Sequence, residues 1–302
     1  MGESLLPFFL CIFLRKTILM NILVTGGNGF VGTALIKRLK SEGHTITSID
    51  DLSIGLKENE VSGVNYIYDD ANNLFSYEIP NLDCIFHLAG LSRIQPSFED
   101  PTETFFANSI TSQIVCEYAR KYDVGRVVYS GSSSRWHDPY QSPYATYKHI
   151  GEEICKMYKT SYGMNTQIVR FYNVYGPGEI MDGEWAAVIG KWRKQVEDGK
   201  LITIIGDGEQ RRDFTHIDDI VDGLIKVMLT KHNVDDAWEL GTGENYSVNE
   251  VYELFKERFG VGSINLPDQE GNYRVTLRER DDALDMLEWE PTDKLKEYIL
   301  GL

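Results

Sequence analysis

Cysteine is scarce in this sequence, and the four present stand apart. Cys11, Cys84, Cys116 and Cys155 share no C-x-x-C spacing and have no histidine close enough to complete a zinc site. That excludes a disulfide scaffold, and no metal centre is expected. The thiols read as reduced, the state of a cytoplasmic protein. Basic residues are also in deficit: 30 Lys and Arg face 46 Asp and Glu, a net charge of −16. Such a field opposes non-specific binding to nucleic acid and to anionic membrane surfaces. Any phosphate must therefore be held by local features. Long apolar runs are missing as well. LLPFFLCIFL, residues 5–14, falls far short of the roughly 20 residues of a spanning helix, so no membrane span is expected. Arg15 and Lys16 follow the run and Glu3 precedes it, the reverse of a secretory signal. Residues 1–19 read as an N-terminal extension or upstream start ahead of Met20, with a peripheral anchor as the alternative.

What the chain does have is a 42% hydrophobic share over 302 residues, enough to bury a full core. From Asn21, short apolar runs alternate with amphipathic stretches. NILVT, TITSID, VNYIY, DCIFHLA, RVVYSGS and NTQIVRFYN read as strands. Helices are expected after NILVT to about Lys40, from about Pro101 to Tyr122, and through SPYATYK. The alternation predicts an α/β fold with a doubly wound parallel sheet. Beyond Gly176 the regularity loosens into helical WAAVIGKWRKQVEDG, a strand LITIIG, the turn GDGEQ and a helix from near His216. SVNEVYELFKERFG opens with a capping box at Ser247 and Glu250 and closes on Gly260. The expected division is a sheet domain over 20–173 and a smaller C-terminal lobe over 174–302, with the chain crossing back to the sheet.

ILVTGGNGFVGTALIKRL places Gly26, Gly27, Gly29 and Gly32 between the first strand and the first helix. Glycines there allow a tight turn, close approach of backbone to a pyrophosphate and packing of helix on sheet. The helix N-terminus, at Phe30 and Val31, offers its N–H groups to the anion. The second strand ends at Asp50, 18 residues after Gly32, where a carboxylate can accept both ribose hydroxyls of an adenosine. This is the dinucleotide pattern of a Rossmann domain. Asp50 would repel a 2′-phosphate and no arginine follows it in DDLSIG, so NAD is favoured over NADP. Asp69 and Asp70 are candidates for the adenine amino group, against the plainer reading of a solvated loop. FHLAG brings Leu88, Ala89 and Gly90 to the carboxyl end of the fourth strand, where ligands lie in open α/β sheets.

SPYATYK puts Tyr144 and Lys148 four apart on one face of a helix. With 17 tyrosines in the chain, chance supplies about one such pair, and VYELFK holds a second, Tyr252 and Lys256. The surroundings separate them. Tyr144 follows a strand that ends in a run of hydroxyls, YSGSSS, whereas Tyr252 follows only a capping box. A tyrosine titrates near 10 in water, and a nearby positive charge such as Lys148 or an oxidised nicotinamide brings it toward neutrality. Tyr144 is then suited to act as general base on a sugar hydroxyl.

TGGNGFVG, HLAG, YSGSSS, YATYK, RFYNVYGPG and GDGEQRRDFTHIDDIVDGL together resemble the extended short-chain dehydrogenase/reductase family, specifically its NAD-dependent nucleotide-sugar epimerase/dehydratases. The likeness runs in order from Met20 to about Pro291. It implies an NAD-binding Rossmann domain ahead of a substrate-binding lobe, with Tyr144 as base and Lys148 on the nicotinamide ribose. It further implies Ser132 as hydroxyl donor, Asn108 as the helix asparagine near the site, and Asn173 and Arg212 as contacts of the nucleotide-sugar diphosphate. It also implies a homodimer through helices 101–122 and 143–162, and a UDP-hexose substrate, UDP-glucose and UDP-galactose being the leading pair. Two departures stand out. RWH replaces the usual Val-Tyr-Gly after the serines, and only 12 positions separate Ser132 from Tyr144, which shortens the loop over the substrate. Ser133 and Ser134 occupy the positions where resembling dehydratases carry Asp–Glu and decarboxylases a carboxylate. Epimerisation at C4 through a transient 4-keto sugar is the expected reaction, with dehydration or decarboxylation as alternatives. A dinucleotide-sensing binding protein is the non-enzyme alternative.

Overall fold

The computed structural model describes residues 19–302. The extension expected over residues 1–19 lies, but for Leu19, outside the described residues. The first half is laid down as β1 (Asn21–Thr25), α1 (Phe30–Ser41), β2 (Thr45–Ile49), β3 (Asn65–Ile67), β4 (Cys84–His87), α2 (Ile94–Glu99), α3 (Pro101–Phe105), α4 (Thr111–Lys121), β5 (Arg126–Ser132), α5 (Pro143–Tyr162) and β6 (Thr166–Phe171). The second half adds β7 (Val174–Tyr175), α6 (Val188–Glu197), β8 (Ile202–Ile205), β9 (Arg211–Asp213), β10 (Thr215–His216), α7 (Ile217–Leu229), β11 (Trp238–Leu240), β12 (Asn245–Ser247), α8 (Val248–Phe259), β13 (Ser263–Leu266), α9 (Asp282–Leu287) and α10 (Leu295–Gly301).

Seven parallel strands form the main sheet in the order β11-β6-β5-β4-β1-β2-β3. Order reverses on either side of β1, the signature of a doubly wound Rossmann sheet with a crevice at the carboxyl ends of its strands. Alternating residues feed opposite faces. Ile22, Val24, Phe86 and Val128 join Leu35, Ile36, Ile220 and Leu224 of α1 and α7 in one core. Leu23, Ile85 and Val127 join Val115 and Tyr118 of α4 in another. The seventh strand comes from beyond residue 174. β11 pairs with β6, and Trp238 and Leu240 are fully buried in the first core. A third core, around Trp192, Ile202, Phe214, Val251, Phe255 and Leu295, belongs to the C-terminal segments.

The helix bearing SPYATYK starts where its sequence dictates. Ser142 caps it by accepting from the Ala145 amide at 3.1 Å, and Pro143 fills the first helical position, where its missing N–H costs nothing. Gly163, in the left-handed region at φ 67°, closes it. The expected helix over 101–122 is interrupted: between α3 and α4, Phe106–Ile110 form a π turn. Such turns place an extra residue on one face and are frequent at functional sites.

Candidate active site

The carboxyl ends of the central strands open into a cleft of about 770 Å³ whose far wall comes from the segments between Asn173 and Thr276. Gly26, Gly29, Phe30, Val31 and Asp50 line one end of it. Among the described residues no side chain caps the first turn of α1, and no acidic residue lies in that turn, which suits its N–H groups to an anion. Gly32 lies off the wall, where a Cβ would run into the Gly26 carbonyl; its role is to let α1 pack on the turn. Asp50 accepts from the Asn28 and Leu52 amides, both at 2.9 Å, which fixes the carboxylate and leaves lone pairs for a diol. Burial raises its pKa, and these two bonds oppose the rise. Asp70 lines the cleft. Asp69 does not: its carboxylate is taken by Asn73 at 2.8 Å and Tyr77 at 2.7 Å.

Leu88, Ala89 and Gly90 continue the wall. Gly90 has φ 147°, and a Cβ there would strike Asn108 Oδ1 and lie 3.3 Å from Lys148 Nζ. The π turn thus presents Asn108 to the β4 loop, where Nδ2 donates to the Leu91 carbonyl at 3.0 Å. Its Oδ1 is buried without a partner.

At the centre, the Tyr144 hydroxyl donates to Ser132 Oγ at 3.1 Å. Ser134 donates to the same oxygen through its amide at 3.1 Å and its hydroxyl at 2.9 Å. Lys148, one turn along α5, is only 5% exposed and donates to the Ser130 carbonyl at 3.1 Å. Burial pulls its pKa down to about 8, with Glu152 acting in the opposite direction. The Tyr144 phenol is raised, chiefly by burial; the Ser132 bond and then the Arg93 charge lower it. Arg93, a residue the sequence does not single out, thus adds its charge to the side that lowers the phenol.

Across the cleft, Asn173 donates to the Asp213 carbonyl at 3.0 Å and Thr276 Oγ1 at 3.1 Å. Arg212 donates to Asn272 Oδ1 at 2.7 Å, and burial draws its pKa down to about 10. Both residues line the cleft, and no carboxylate pairs with Arg212 among the described residues. Glu179, in YGPGE, also reaches the wall; it accepts from Arg193 at 2.9 Å and Tyr298 at 3.0 Å, and one oxygen is left buried and unpartnered. The other tyrosine–lysine pair is elsewhere: Tyr252 donates to the Val261 carbonyl at the edge of the third core, and Lys256 pairs with Glu253.

Three residues near this cluster carry no signal in the sequence, one on the next turn of α5 and two in the turn after β5. Glu152 continues the Tyr144–Lys148 row and is held by Arg170 at 3.0 and 2.7 Å. Trp136 of RWH stays off the cleft wall and donates to Glu239 at 2.6 Å, beneath the Arg170 guanidinium. His137 stacks on Tyr273 at 3.9 Å.

A glycine turn, a fixed acidic residue at the second strand and a tyrosine–serine–lysine cluster thus meet in one cleft of a Rossmann-type sheet. The chain belongs to the NAD dependent epimerase/dehydratase family, whose model matches residues 22–241. It is 29% identical over 310 residues to the UDP-glucose 4-epimerase of Mycolicibacterium smegmatis, covering 93% of this chain and 96% of that one. Among solved structures, UDP-glucose 4-epimerase of Thermotoga maritima with UDP-glucose superposes with a TM-score of 0.85 at 27% identity, covering 93% and 96% of the two chains. UDP-glucuronic acid 4-epimerase of Bacillus cereus, in complex with UDP-glucuronic acid and NAD, gives 0.83 at 25% identity over the same shares. NAD is the cofactor of the family, and the glycine turn with Asp50 fits it.

Proposed function

We propose that this protein epimerises a nucleotide-linked sugar at C4 through a transient 4-keto form. NAD, when bound, supplies the acceptor that takes hydrogen from C4 and gives it back. The protein's own part is proton handling and orientation. Tyr144 removes the proton from the C4 hydroxyl and later returns it. Ser132, already bonded to the phenol, donates to the same sugar oxygen as charge develops there. Lys148 keeps a positive charge one helical turn away, and Phe30, Val31 and Asp50 hold the dinucleotide. Arg212 and Asn173 take the sugar-nucleotide diphosphate, for which a guanidinium fork is well matched.

The observation that carries epimerisation over dehydration or decarboxylation is the turn after Ser132. Elimination needs an acid and a base near C5 and C6. Ser133 and Ser134 stand there, and Ser134 is bonded back to Ser132. Without a carboxylate in that turn, the 4-keto sugar has hydrogen return as its open course. A test is turnover in deuterated water with mass spectrometry of the product. Epimerisation gives an isomer of unchanged mass and no carbon-bound deuterium. A product lighter by water or carbon dioxide, or labelled at C5, would sink the assignment. A homodimer and a cytoplasmic location complete the proposal, supported by the exposed apolar side chains of α4 and α5 and by reduced cysteines.

A further inference from the structure

The cleft holds a cation that the chemistry above leaves unused. Arg93 lies in the loop between β4 and α2 and lines the wall beside Ser92 and Ile94. Its Nε donates to the Trp185 carbonyl at 2.9 Å and Nη1 to the Ser92 carbonyl at 3.4 Å. Nη2 makes no hydrogen bond among the described residues. Glu99, Glu103 and Glu184 also border the cleft, yet no carboxylate of the described residues comes within the 4.0 Å of an ion pair with Arg93. The guanidinium is a planar fork of five donors, so two bonds to backbone carbonyls pin it and leave an edge open. α2, which begins directly after Arg93, packs on α5 where the Tyr144 amide donates to Ser97 Oγ at 3.1 Å, and the Arg93 charge lowers the Tyr144 phenol. In a chain of net charge −16, a half-buried cation with no counter-charge among the described residues is well suited to a ligand carboxylate.

Ring geometry says which part of the ligand that is. With the C4 hydroxyl at Tyr144, the diphosphate on C1 is on the opposite side of the pyranose ring. The substituents nearest C4 are those on C3 and C5, and C5 carries C6. A cation beside Tyr144 therefore meets the C3 hydroxyl or C6, and of these only C6 can carry a carboxylate, before it meets a phosphate, which Arg212 faces across the cleft. We propose that Arg93 is a specificity residue that pairs with a carboxylate at C6, so that the sugar is a hexuronate and not the neutral hexose of the UDP-glucose and UDP-galactose pair. This rests on the C4 chemistry proposed above only for the placement of C4 at Tyr144.

The experiment is calorimetric titration of the NAD-loaded protein with UDP-glucuronate, UDP-glucose and UDP. The wild type is expected to bind UDP-glucuronate more tightly than UDP-glucose by about tenfold or more. Arg93→Gln should erase that preference and leave UDP affinity unchanged, showing an intact site, and Arg93→Lys should keep part of it. Equal wild-type affinity for the two sugars would overturn the inference, as would a preference that survives in Arg93→Gln. A parallel loss of UDP affinity in Arg93→Gln would place the guanidinium on the diphosphate and overturn it too. Binding is read without turnover, so a preference for UDP-glucuronate with no epimer formed would defeat the reaction and leave the specificity standing. Turnover of UDP-glucose with no binding preference would do the opposite.

Discussion

Tyr144 is asked to be a base in a place that favours its protonated form. Burial raises the phenol, and the Ser132 bond and then the Arg93 charge counter it. Tyr144→Phe should lower kcat by at least about a hundredfold while leaving NAD affinity near the wild-type value. Tyr252→Phe, which removes only a hydroxyl bonded to the Val261 carbonyl, should stay within about twofold. Steady-state kinetics beside cofactor titration checks both, and the opposite ranking would move the site to α8. Lys148 pays for its position in stability. Its folded pKa of about 8 lies below the ordinary 10.5. Between those values the unfolded chain holds more protons than the folded one, so stability rises with pH across that window. Lys148→Met should therefore be inactive yet melt higher at pH 7, by the equivalent of about 1–2 kcal/mol, with the gain shrinking by pH 10. A lower melting temperature at pH 7 would show that the bond to the Ser130 carbonyl outweighs desolvation.

α5 sets the register of Tyr144, Lys148 and Glu152, and Ser142 sets where α5 begins. Ser142→Ala should cost about 1 kcal/mol in denaturant unfolding, and a change below a few tenths would show that Pro143 alone fixes the start. This element was open to reading because its signals are local: a cap, a proline, and a four-residue spacing directly after a hydroxyl-bearing strand end. β5 and the glycine turn were legible for the same reason. RWH was not. It reads as a truncated substrate loop, but Trp136 meets a partner 103 residues away, Glu239, and no periodicity announces such a pairing. β11 escaped likewise, since three residues, Trp238–Leu240, carry no alternation that could be counted. Arg93 had only its place shortly after FHLAG to mark it, and its meaning depends on what fails to pair with it in space. The π turn at Asn108 was hidden because FANSI is unremarkable helical sequence.

For the molecule as a whole, α4 and α5 pack side by side, with Gln113 donating to the Tyr158 hydroxyl at 2.6 Å. Tyr122, just past the end of α4, and Met157 and Tyr162 of α5 stay exposed, at 36%, 40% and 56%. Apolar side chains left on paired helices suit a two-fold interface. Light scattering should give twice the chain mass, and Tyr162→Glu should shift the population toward monomer. A wild-type monomer at micromolar concentration would remove the dimer from the proposal.

The late arrival of β11 bears on how the polypeptide comes off the ribosome. Until residue 240 has emerged, β6 presents a bare row of amide and carbonyl groups, and the α1 face of the sheet lacks Trp238 and Leu240. An uncovered edge beside exposed apolar surface is a template for pairing with another nascent chain. Most of the sequence must be translated before that edge is sealed, so a stalled or prematurely terminated product belongs to the clientele of chaperones and proteases, however complete its glycine turn and its tyrosine.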